Sequence, residues 1–160
     1  MSPVILRIPE ASGGLHDVLV DEADLAAVGR WTWCVVSART ASRRTFYVRG
    51  GPEKALHRML LSAPFGLEVD HIDGNGLNNQ RSNLRLCTHA QNQHNKGPSS
   101  RNKTGFKGVS FDNYHGRFAA KIKLNGKQRH IGYFDSAVEA AQAYALEAKR
   151  LHGSFANTGW

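Results

Sequence analysis

Four polar residues in the middle of the chain have the side-chain types that hydrolysis of a phosphodiester bond requires: Asp70, His71, Asn83 and Asn92. A histidine whose pKa lies near 7 can take a proton from an attacking water. A divalent metal can stabilise the charged phosphorus centre and the leaving oxygen. Mg²⁺ prefers oxygen ligands, often with only one or two from protein. The four residues therefore predict a metal-assisted hydrolytic site.

The spacing of these residues indicates how they divide the chemistry. Side chains of adjacent residues on an extended segment point in opposite directions, so Asp70 would face a metal while His71 faces the nucleophilic water. The pattern Thr-His-Ala-Gln at 88–91 is a capping box that starts a short helix. This helix would carry Asn92 as a neutral second ligand. Asn83, in the loop between, could accept the free N–H of His71 and fix its tautomer.

This stretch resembles the HNH nuclease family, in the branch found in phage and intron-encoded homing endonucleases. The resemblance covers roughly residues 15–95 and is carried by VDHIDGN at 69–75, LNNQRSNLR at 77–85, QNQHN at 91–95, and the flanking LHR at 56–58 and PFG at 64–66. It implies a hairpin and a helix that hold one divalent metal, Mg²⁺ with Mn²⁺ as the alternative, through Asp70 and Asn92. It also implies that His71 is the general base and that Asn83 orients it. One such centre cuts one strand, so a monomer would nick DNA.

Other polar residues near this motif each have two interpretations. The segment DGNG at 73–76 predicts a turn that shapes the loop rather than a set of metal ligands. His57 either contacts a phosphate or packs beside the site. Arg81 and Arg85 either clamp phosphates or are ordinary surface arginines.

The whole chain has a net charge of +8, and the positive charge is concentrated in its second part. Residues 1–95 have ten Lys and Arg against nine Asp and Glu, a net +1, and residues 96–160 have eleven against four, a net +7. This asymmetry predicts a polyanionic partner for the second part. Residues 96–103 are rich in Gly, Pro, Ser and Asn, which predicts a linker, and its cations Lys96, Arg101 and Lys103 could lie along a phosphate backbone.

Residues 1–50 are rich in β-branched and aromatic residues separated by turn residues, which predicts short strands at 4–8, 18–20, 31–37 and 45–49. Residues 21–29 predict a short helix with Asp21 as its N-cap. Trp31 and Trp33 alternate, so they would share the core-facing side of a strand.

Residues 104–160 predict three antiparallel strands packed on one helix. The strands are expected at 106–111, 117–124 and 128–133, with Asn125-Gly126 as a hairpin turn. Ser136 and Glu139 form a capping box for a helix that runs to about His152, with Gly153 just beyond its end. Small residues at spacings of three and four would let this helix lie close to the sheet.

Residues 104–159 resemble the DNA-binding domain of plant ethylene-response (Apetala-type) transcription factors, through KGV at 107–109, GRFAAKI at 116–122, IGYF at 131–134, SAVEAAQAY at 136–144 and GSFAN at 153–157. The resemblance implies that the open face of the sheet lies in the major groove of double-stranded DNA. The candidate DNA contacts are Lys107, Arg117, Lys121, Lys123, Gln128 and His130. That family has Glu, Arg and Trp where this chain has Lys121, Lys123 and His130, which leaves the recognised bases open. The other interpretation is a solvated basic face.

Together these patterns predict an α+β chain: a nuclease domain at 1–95, strand-rich over 1–50 and with a ββα-metal core at about 55–95, then a linker at 96–103 and a DNA-binding domain at 104–160. No apolar run could span a membrane and no secretory signal is evident. These absences predict that the chain stays in the cytoplasm of the cell that makes it. The resemblance to homing endonucleases implies that a phage or mobile element encodes it in a host cell, and no obligate protein partner is evident. Cys34 and Cys87 are expected to be free, buried thiols. The expected function is a sequence-directed DNA endonuclease. The alternatives are a DNA-binding regulator with an inactive nuclease fold and an RNA-binding or structure-selective nuclease.

Overall fold

The computed structural model describes residues 2–39, 44–99, 101–124 and 126–158. The chain divides into two compact units, an N-terminal unit of Met1–Asn92 and a C-terminal unit of Gln93–Trp160. Small antiparallel sheets and short helices make up both units, in agreement with the expected α+β class. No helix of the described residues is both long enough and apolar enough to cross a membrane.

The N-terminal unit contains three two-stranded antiparallel sheets and short helices. Strand β1 (Pro3–Pro9) pairs with β2 (Leu15–Asp21), β3 (Trp33–Arg39) with β4 (Arg44–Gly50), and β5 (Glu68–His71) with β6 (Leu84–Cys87). The helices are α1 (Leu25–Val28), α2 (Leu56–Leu60) and α3 (His89–Asn95), whose last three residues belong to the C-terminal unit. Short 3₁₀ turns at Glu22–Asp24 and Arg81–Asn83 precede α1 and β6.

One core holds the N-terminal sheets and α2 together. Its fully buried side chains are Val18, Val20, Val35, Val48 and Leu56. Trp33 is also buried, and its indole N–H donates to the carbonyl of Val28 at 2.9 Å. Trp31 lies before the start of β3 and is 47% exposed, so the prediction that the two tryptophans share a buried strand face is wrong. Both cysteines are free, with Cys34 half-buried and Cys87 buried.

The C-terminal unit is a three-stranded antiparallel sheet covered by one helix. Its strands β7 (Val109–Asp112), β8 (Arg117–Leu124) and β9 (Lys127–Phe134) lie in the order β7-β8-β9, and α4 (Ala137–His152) packs on them. Strand β7 begins three residues later than predicted because Phe106–Gly108 forms a turn, with Gly108 at φ +73°. Of the predicted Asn-Gly turn, Asn125 lies outside the described residues and Gly126 has φ +79°.

The predicted start of α4 and its predicted packing face are confirmed. Ser136 Oγ accepts from the Glu139 N–H, and the Glu139 carboxylate accepts from the Ser136 N–H, which completes the capping box. The buried residues of α4 are Ala140, Ala141, Tyr144 and Ala148, which pack with Val109, Ala120 and Ile122 of the sheet. A register shift in β9 between the partners of Ala120 and Lys121 leaves Ile131 as the extra residue of a bulge.

Candidate active site

Strand β5 positions the two adjacent residues that carry the predicted chemistry. Asp70 and His71 are only 5% and 6% exposed, and they pair across the sheet with Arg85 and Leu84 of β6. Because side chains alternate along a strand, Asp70 lies on one face of β5 together with Glu68, and His71 lies on the other. The two faces therefore separate a carboxylate from an imidazole, both held away from bulk water.

The carboxylate of Asp70 forms an ion pair with Arg85. Both Nε and Nη2 of Arg85 donate to Oδ2 of Asp70, at 2.8 and 2.6 Å, and the arginine side chain is only 15% exposed. The sequence suggested Arg85 as a phosphate clamp, but its guanidinium is directed to Asp70 because the two residues face each other across the β5–β6 ladder. Arg85 therefore holds the orientation of the carboxylate.

The imidazole of His71 lies among aromatic rings and one amide. Its Nε2 is 3.5 Å from Oδ1 of Asn79, a fully buried residue. The ring of His57 meets it edge-on, with centroids 5.1 Å apart, and Tyr47 is 6.2 Å away. Burial lowers the pKa of His71, although Asn79 and the charges of Asp73 and Asp70 act in the opposite direction. A lowered pKa favours the neutral imidazole, the form that can accept a proton.

His57 packs beside the site, which fits the second interpretation of this residue. Burial, together with the charges of His71, Arg58 and Arg49, lowers its pKa to about 4. Its buried Nδ1 has no hydrogen-bond partner among the residues that the structure describes. His57 is therefore a neutral ring at physiological pH that supports one side of the His71 imidazole.

Asn83 stabilises the backbone that follows His71. Its carbonyl oxygen Oδ1 accepts from the Asp73 N–H at 3.1 Å, its amide donates to Asp73 Oδ1 and the Asn78 carbonyl, and its backbone carbonyl accepts from Ile72. These bonds fix the loop that follows His71, and the expectation that Asn83 accepts directly from the imidazole stays a prediction. Asn83 lies in the 3₁₀ turn that faces Asp73, and the nearby amide oxygen at the ring belongs to Asn79.

The segment at 73–76 is a turn that shapes the loop, as predicted. Asp73 Oδ1 accepts from the Asn75 N–H and Oδ2 from the Asn78 amide, each at 2.8 Å, while Gly74 adopts φ +72°. Burial would raise the pKa of Asp73, but its hydrogen bonds from Asn75, Asn78 and Asn83 outweigh that effect and lower it. The carboxylate of Asp73 is therefore used inside the loop.

Two buried carboxylates fix the same loop to the end of β2. Asp24 accepts from Nε and Nη2 of Arg81 at distances down to 2.8 Å, and Asp21 accepts from the Arg81 backbone N–H at 2.9 Å. Arg81 was a candidate phosphate clamp, but its guanidinium is paired with Asp24 because the loop crosses the acidic 3₁₀ turn. Asp21, predicted as a helix cap, makes no such side-chain bond and binds Gln80 and Arg81 instead.

Helix α3 brings Asn92 to the Asp70 face of β5. The predicted capping box is confirmed, since Thr88 and Gln91 exchange side-chain to backbone hydrogen bonds at 2.8 and 3.3 Å. The amide of Asn92 donates to Oε2 of Glu68 at 2.6 Å. Glu68 was not among the predicted site residues, although its position two residues before Asp70 on a strand places it on the same face.

The chemistry of the donors on this face fits a hard divalent cation. Asp70 offers a carboxylate and Asn92 an amide oxygen, the ligand types that Mg²⁺ takes while retaining waters and phosphate oxygens. In the described part of the chain, no three His, Cys, Asp or Glu side chains form a metal-binding group. The binding of a metal by Asp70 and Asn92 therefore stays a prediction.

The candidate DNA contacts of the C-terminal unit fall into two groups. Lys121 pairs with His130 and Lys123 with Gln128 across the sheet face opposite α4, and all but the half-buried Lys121 are exposed. On the same face, the Tyr133 ring lies 4.5 Å from that of His130, which the sequence analysis missed.

Three further basic candidates have different surroundings. Lys103 is exposed, and Arg117 forms an exposed ion pair with Asp135 at 2.8 Å. Lys107, by contrast, donates to the backbone carbonyls of His94 and Lys96. Burial lowers the pKa of Lys107 to about 8. This lysine satisfies carbonyls at the end of α3, and its role as a DNA contact stays a prediction.

One nuclease family and two viral proteins are similar to parts of this chain. A family model described as HNH endonuclease matches residues 62–94. An uncharacterised HNH endonuclease of Acanthamoeba polyphaga mimivirus is 42% identical over 107 residues, which cover 63% of this chain and 54% of that protein. Protein 3.8 of Escherichia phage T7 is 34% identical over 93 residues, which cover 58% of this chain and 76% of that protein.

The chain thus spans about half the length of the giant-virus relative and most of the length of the phage relative. No solved structure matches it. The matched residues 62–94 contain β5, the loop, β6 and most of α3, the elements that position Asp70, His71 and Asn92. The chain belongs to the HNH endonuclease family.

Proposed function

We propose that this protein is a metal-dependent DNA endonuclease whose N-terminal unit hydrolyses a phosphodiester bond. The observation that carries the proposal is the buried Asp70–His71 pair, which presents a carboxylate and a neutral imidazole on opposite faces of β5. Preorganised groups of this kind are what a hydrolytic site needs, because they do not have to be rearranged during the reaction.

His71 acts as the general base. Its imidazole takes the proton from the attacking water, and its lowered pKa keeps it ready to do so at neutral pH. Asn83 fixes the backbone after His71, and Asn79 and His57 limit the orientation of the ring. Asp70 and Asn92 would hold one divalent cation, Mg²⁺ with Mn²⁺ as the alternative, which supplies charge stabilisation for the phosphate when bound. Arg85 keeps the Asp70 carboxylate oriented.

The C-terminal unit supplies the DNA-binding surface in this proposal. Its sheet presents Lys121, Lys123, Gln128 and His130 on the face away from α4, and the segment from residue 96 onward has a net charge of +7. Such a face can lie in the major groove and direct the nuclease to a sequence. The resemblance to the ethylene-response-type domain supports this role.

The chain has one proposed metal centre, so we expect each molecule to nick one strand of double-stranded DNA. The viral and phage sources of the relatives support a phage or virus role. The homing type and the cytoplasm of an infected cell are our proposal from the resemblance to homing endonucleases.

A supercoiled plasmid tests the proposal directly. We expect conversion to the nicked circle with Mg²⁺ or Mn²⁺ and none with a chelator, while the circular dichroism spectrum stays unchanged under both conditions. Loss of the folded spectrum on chelation would mean that the metal is structural. Tight DNA binding without nicking in either metal would instead identify a DNA-binding regulator with an inactive nuclease fold.

A further inference from the structure

The carboxylate of Glu68 holds two residues of α3 at the edge of the candidate metal site. Oε2 of Glu68 accepts from the Asn92 amide at 2.6 Å, and Oε1 lies 2.7 Å from Nδ1 of His89. His89 and Asn92 are three residues apart on α3, so they lie on the same side of the helix. Glu68 opens β5 and shares a strand face with Asp70.

The bond to Glu68 uses the NH₂ end of the Asn92 amide, so the carbonyl oxygen is the end directed away from Glu68. A side-chain amide has a donor end, the NH₂ group, and an acceptor end, the carbonyl oxygen. Only the oxygen can bind a cation, and rotation of the amide by half a turn would present the NH₂ group instead. A carboxylate accepts hydrogen bonds and cannot donate them when ionised, so Glu68 selects one of the two orientations.

We propose that Glu68 is a positioning residue that holds the amide of Asn92 so that its carbonyl oxygen, together with Asp70, is available to the metal. This inference rests on the function proposed above. Partners that orient metal ligands in this way typically contribute about 10- to 100-fold to metal affinity.

Two other roles for Glu68 make different demands on its carboxylate. A direct ligand would need its negative charge at the metal, but both oxygens of Glu68 are already within hydrogen-bond distance of α3 groups, and the side chain is 38% exposed against 5% for Asp70. A simple tether of α3 to β5 would depend on His89 as much as on Asn92. Neither of these two roles depends on the orientation of the Asn92 amide.

Three variants of the full chain separate these roles: Glu68→Gln, Glu68→Ala and His89→Ala. Glutamine keeps an oxygen that can accept from Asn92 but has no charge, and its NH₂ group can also donate, so it selects the amide orientation less strictly; alanine removes the acceptor altogether. Mn²⁺ affinity, measured by calorimetry without DNA, should fall about 10- to 100-fold in Glu68→Ala, fall by clearly less in Glu68→Gln, and stay near wild type in His89→Ala. Thermal unfolding and DNA affinity of all three variants should match wild type.

A second measurement follows the amide itself without any metal. The side-chain NH₂ signals of Asn92 in a ¹⁵N–¹H spectrum, assigned by their loss in Asn92→Asp, should be protected from hydrogen exchange in wild type and lose that protection in Glu68→Ala. Unchanged protection in Glu68→Ala would overturn the inference. Equal loss of Mn²⁺ affinity in Glu68→Gln and Glu68→Ala would identify a direct ligand, and equal loss in His89→Ala and Glu68→Ala a tether.

The failure of this inference differs from the failure of the proposed function. A wild-type protein that neither binds Mn²⁺ nor nicks DNA would overturn the proposed function and the metal-directed role of Glu68 with it. A wild-type protein that binds Mn²⁺ and nicks DNA, with a Glu68→Ala variant that binds Mn²⁺ equally well, would overturn the role of Glu68 alone.

Discussion

The two units of this chain use their polar residues in opposite ways. Among the described residues, all six buried polar or charged side chains lie in the N-terminal unit: Asp21, Asp24, Asp70, His71, Asn79 and Asn83. The buried residues of the C-terminal core are Val, Ile, Ala and Tyr144, and the basic residues of its sheet are exposed or half-buried.

This difference follows from what each unit is proposed to do. A hydrolytic site gains from groups that are fixed in advance and shielded from water, because electrostatic effects are stronger there. Burial of such groups is costly unless each has a partner, which explains the pairs Asp70–Arg85 and Asp24–Arg81. A DNA-reading face needs accessible side chains and positive charge, so its folding relies on the small apolar contacts between α4 and the sheet.

The largest effects should come from substituting one histidine in each unit, His71 in the N-terminal unit and His130 in the C-terminal unit. We expect His71→Ala to lower single-turnover cleavage by about 10²- to 10⁴-fold, the usual contribution of a general base, with little change in DNA affinity. His130→Ala should have the reverse effect, weakening DNA binding while saturating DNA is cut at the normal rate. Single-turnover cleavage and gel-shift titration of both variants measure this. Near-normal cutting by His71→Ala would remove His71 from the mechanism.

The stability of the C-terminal unit should depend on one glycine. Gly108 and Gly116 both have positive φ, +73° and +63°, but a Cβ on Gly108 would overlap the Tyr144 ring and lie 2.6 Å from the Lys121 carbonyl, whereas one on Gly116 meets nothing within 4 Å. Gly116→Ala should therefore cost about 1 kcal/mol from backbone strain alone. Gly108→Ala should cost roughly 2–4 kcal/mol because overpacking adds to that strain.

Urea denaturation, monitored through hydrogen exchange of the α4 amides, gives the free energies of unfolding of Gly108→Ala and Gly116→Ala. Because the buried polar network belongs to the other unit, Mn²⁺ binding should survive in both glycine variants. Equal destabilisation by the two substitutions would mean that Gly108 does not pack against Tyr144 as the structure has it.

Local sequence signals predicted the elements of both units well. The capping boxes at Thr88 and Ser136 and the alternation over Arg117–Leu124 depend on residues within one turn or one strand, so the pattern contains all the information. The exposed position of Trp31 was not predictable in this way, because strand β3 begins only at Trp33.

Pairings between distant residues could not be predicted from the sequence. Arg81 reaches Asp24 across 57 positions and Arg85 reaches Asp70 across 15, so both arginines resemble free phosphate clamps until the tertiary structure brings the carboxylates to them. The bond from Lys107 to the His94 carbonyl at the end of α3 was likewise not predictable from the sequence. In contrast, strand alternation alone could have added Glu68 to the candidate site.

Burial of His57 should make the N-terminal unit sensitive to acid. The pKa of His57 is about 4 in the folded chain, against an ordinary value near 6.5. Between these values the unfolded chain binds a proton that the folded chain does not, so stability is fully present above about pH 6.5 and is lost as pH falls toward 4. The partial exposure of the ring reduces the expected loss from His57 to about 2 kcal/mol.

His57→Phe, which keeps an aromatic ring and removes the titrating group, isolates this contribution. The difference in the free energy of unfolding between pH 7 and pH 4.5 should shrink by about 2 kcal/mol in the variant. Tryptophan fluorescence during urea denaturation reports the N-terminal unit through the buried Trp33. An unaltered pH dependence would show that His57 is not the acid-sensitive group.

The smallest expected effects concern the two lysines that face away from α4. Lys123 is exposed and pairs with Gln128, while Lys121 is half-buried and pairs with His130. We expect Lys123→Ala to relax base preference at one position, at a cost of about 1–3 kcal/mol there, since the ethylene-response-type domain has Arg at this place. If Lys121 contacts only a phosphate, Lys121→Ala should weaken all sites alike. It should also reduce the slope of log K against log salt by about 0.9.

Selection from randomised sites and salt titrations on the full chain separate these two behaviours. Lys149→Ala is the matched control, because Lys149 is an exposed lysine of α4, the helix that covers the opposite face of the sheet. A base preference and an affinity that stay unchanged in both lysine variants would mean that the sheet faces solvent. The DNA surface would then have to lie on the linker or the N-terminal unit, and the contrast between a catalytic unit and a recognition unit would fail. An equal loss of DNA affinity in Lys149→Ala would instead mean that the sheet lysines contribute only through the net charge of the unit. A charge acting at a distance does not depend on which face carries it.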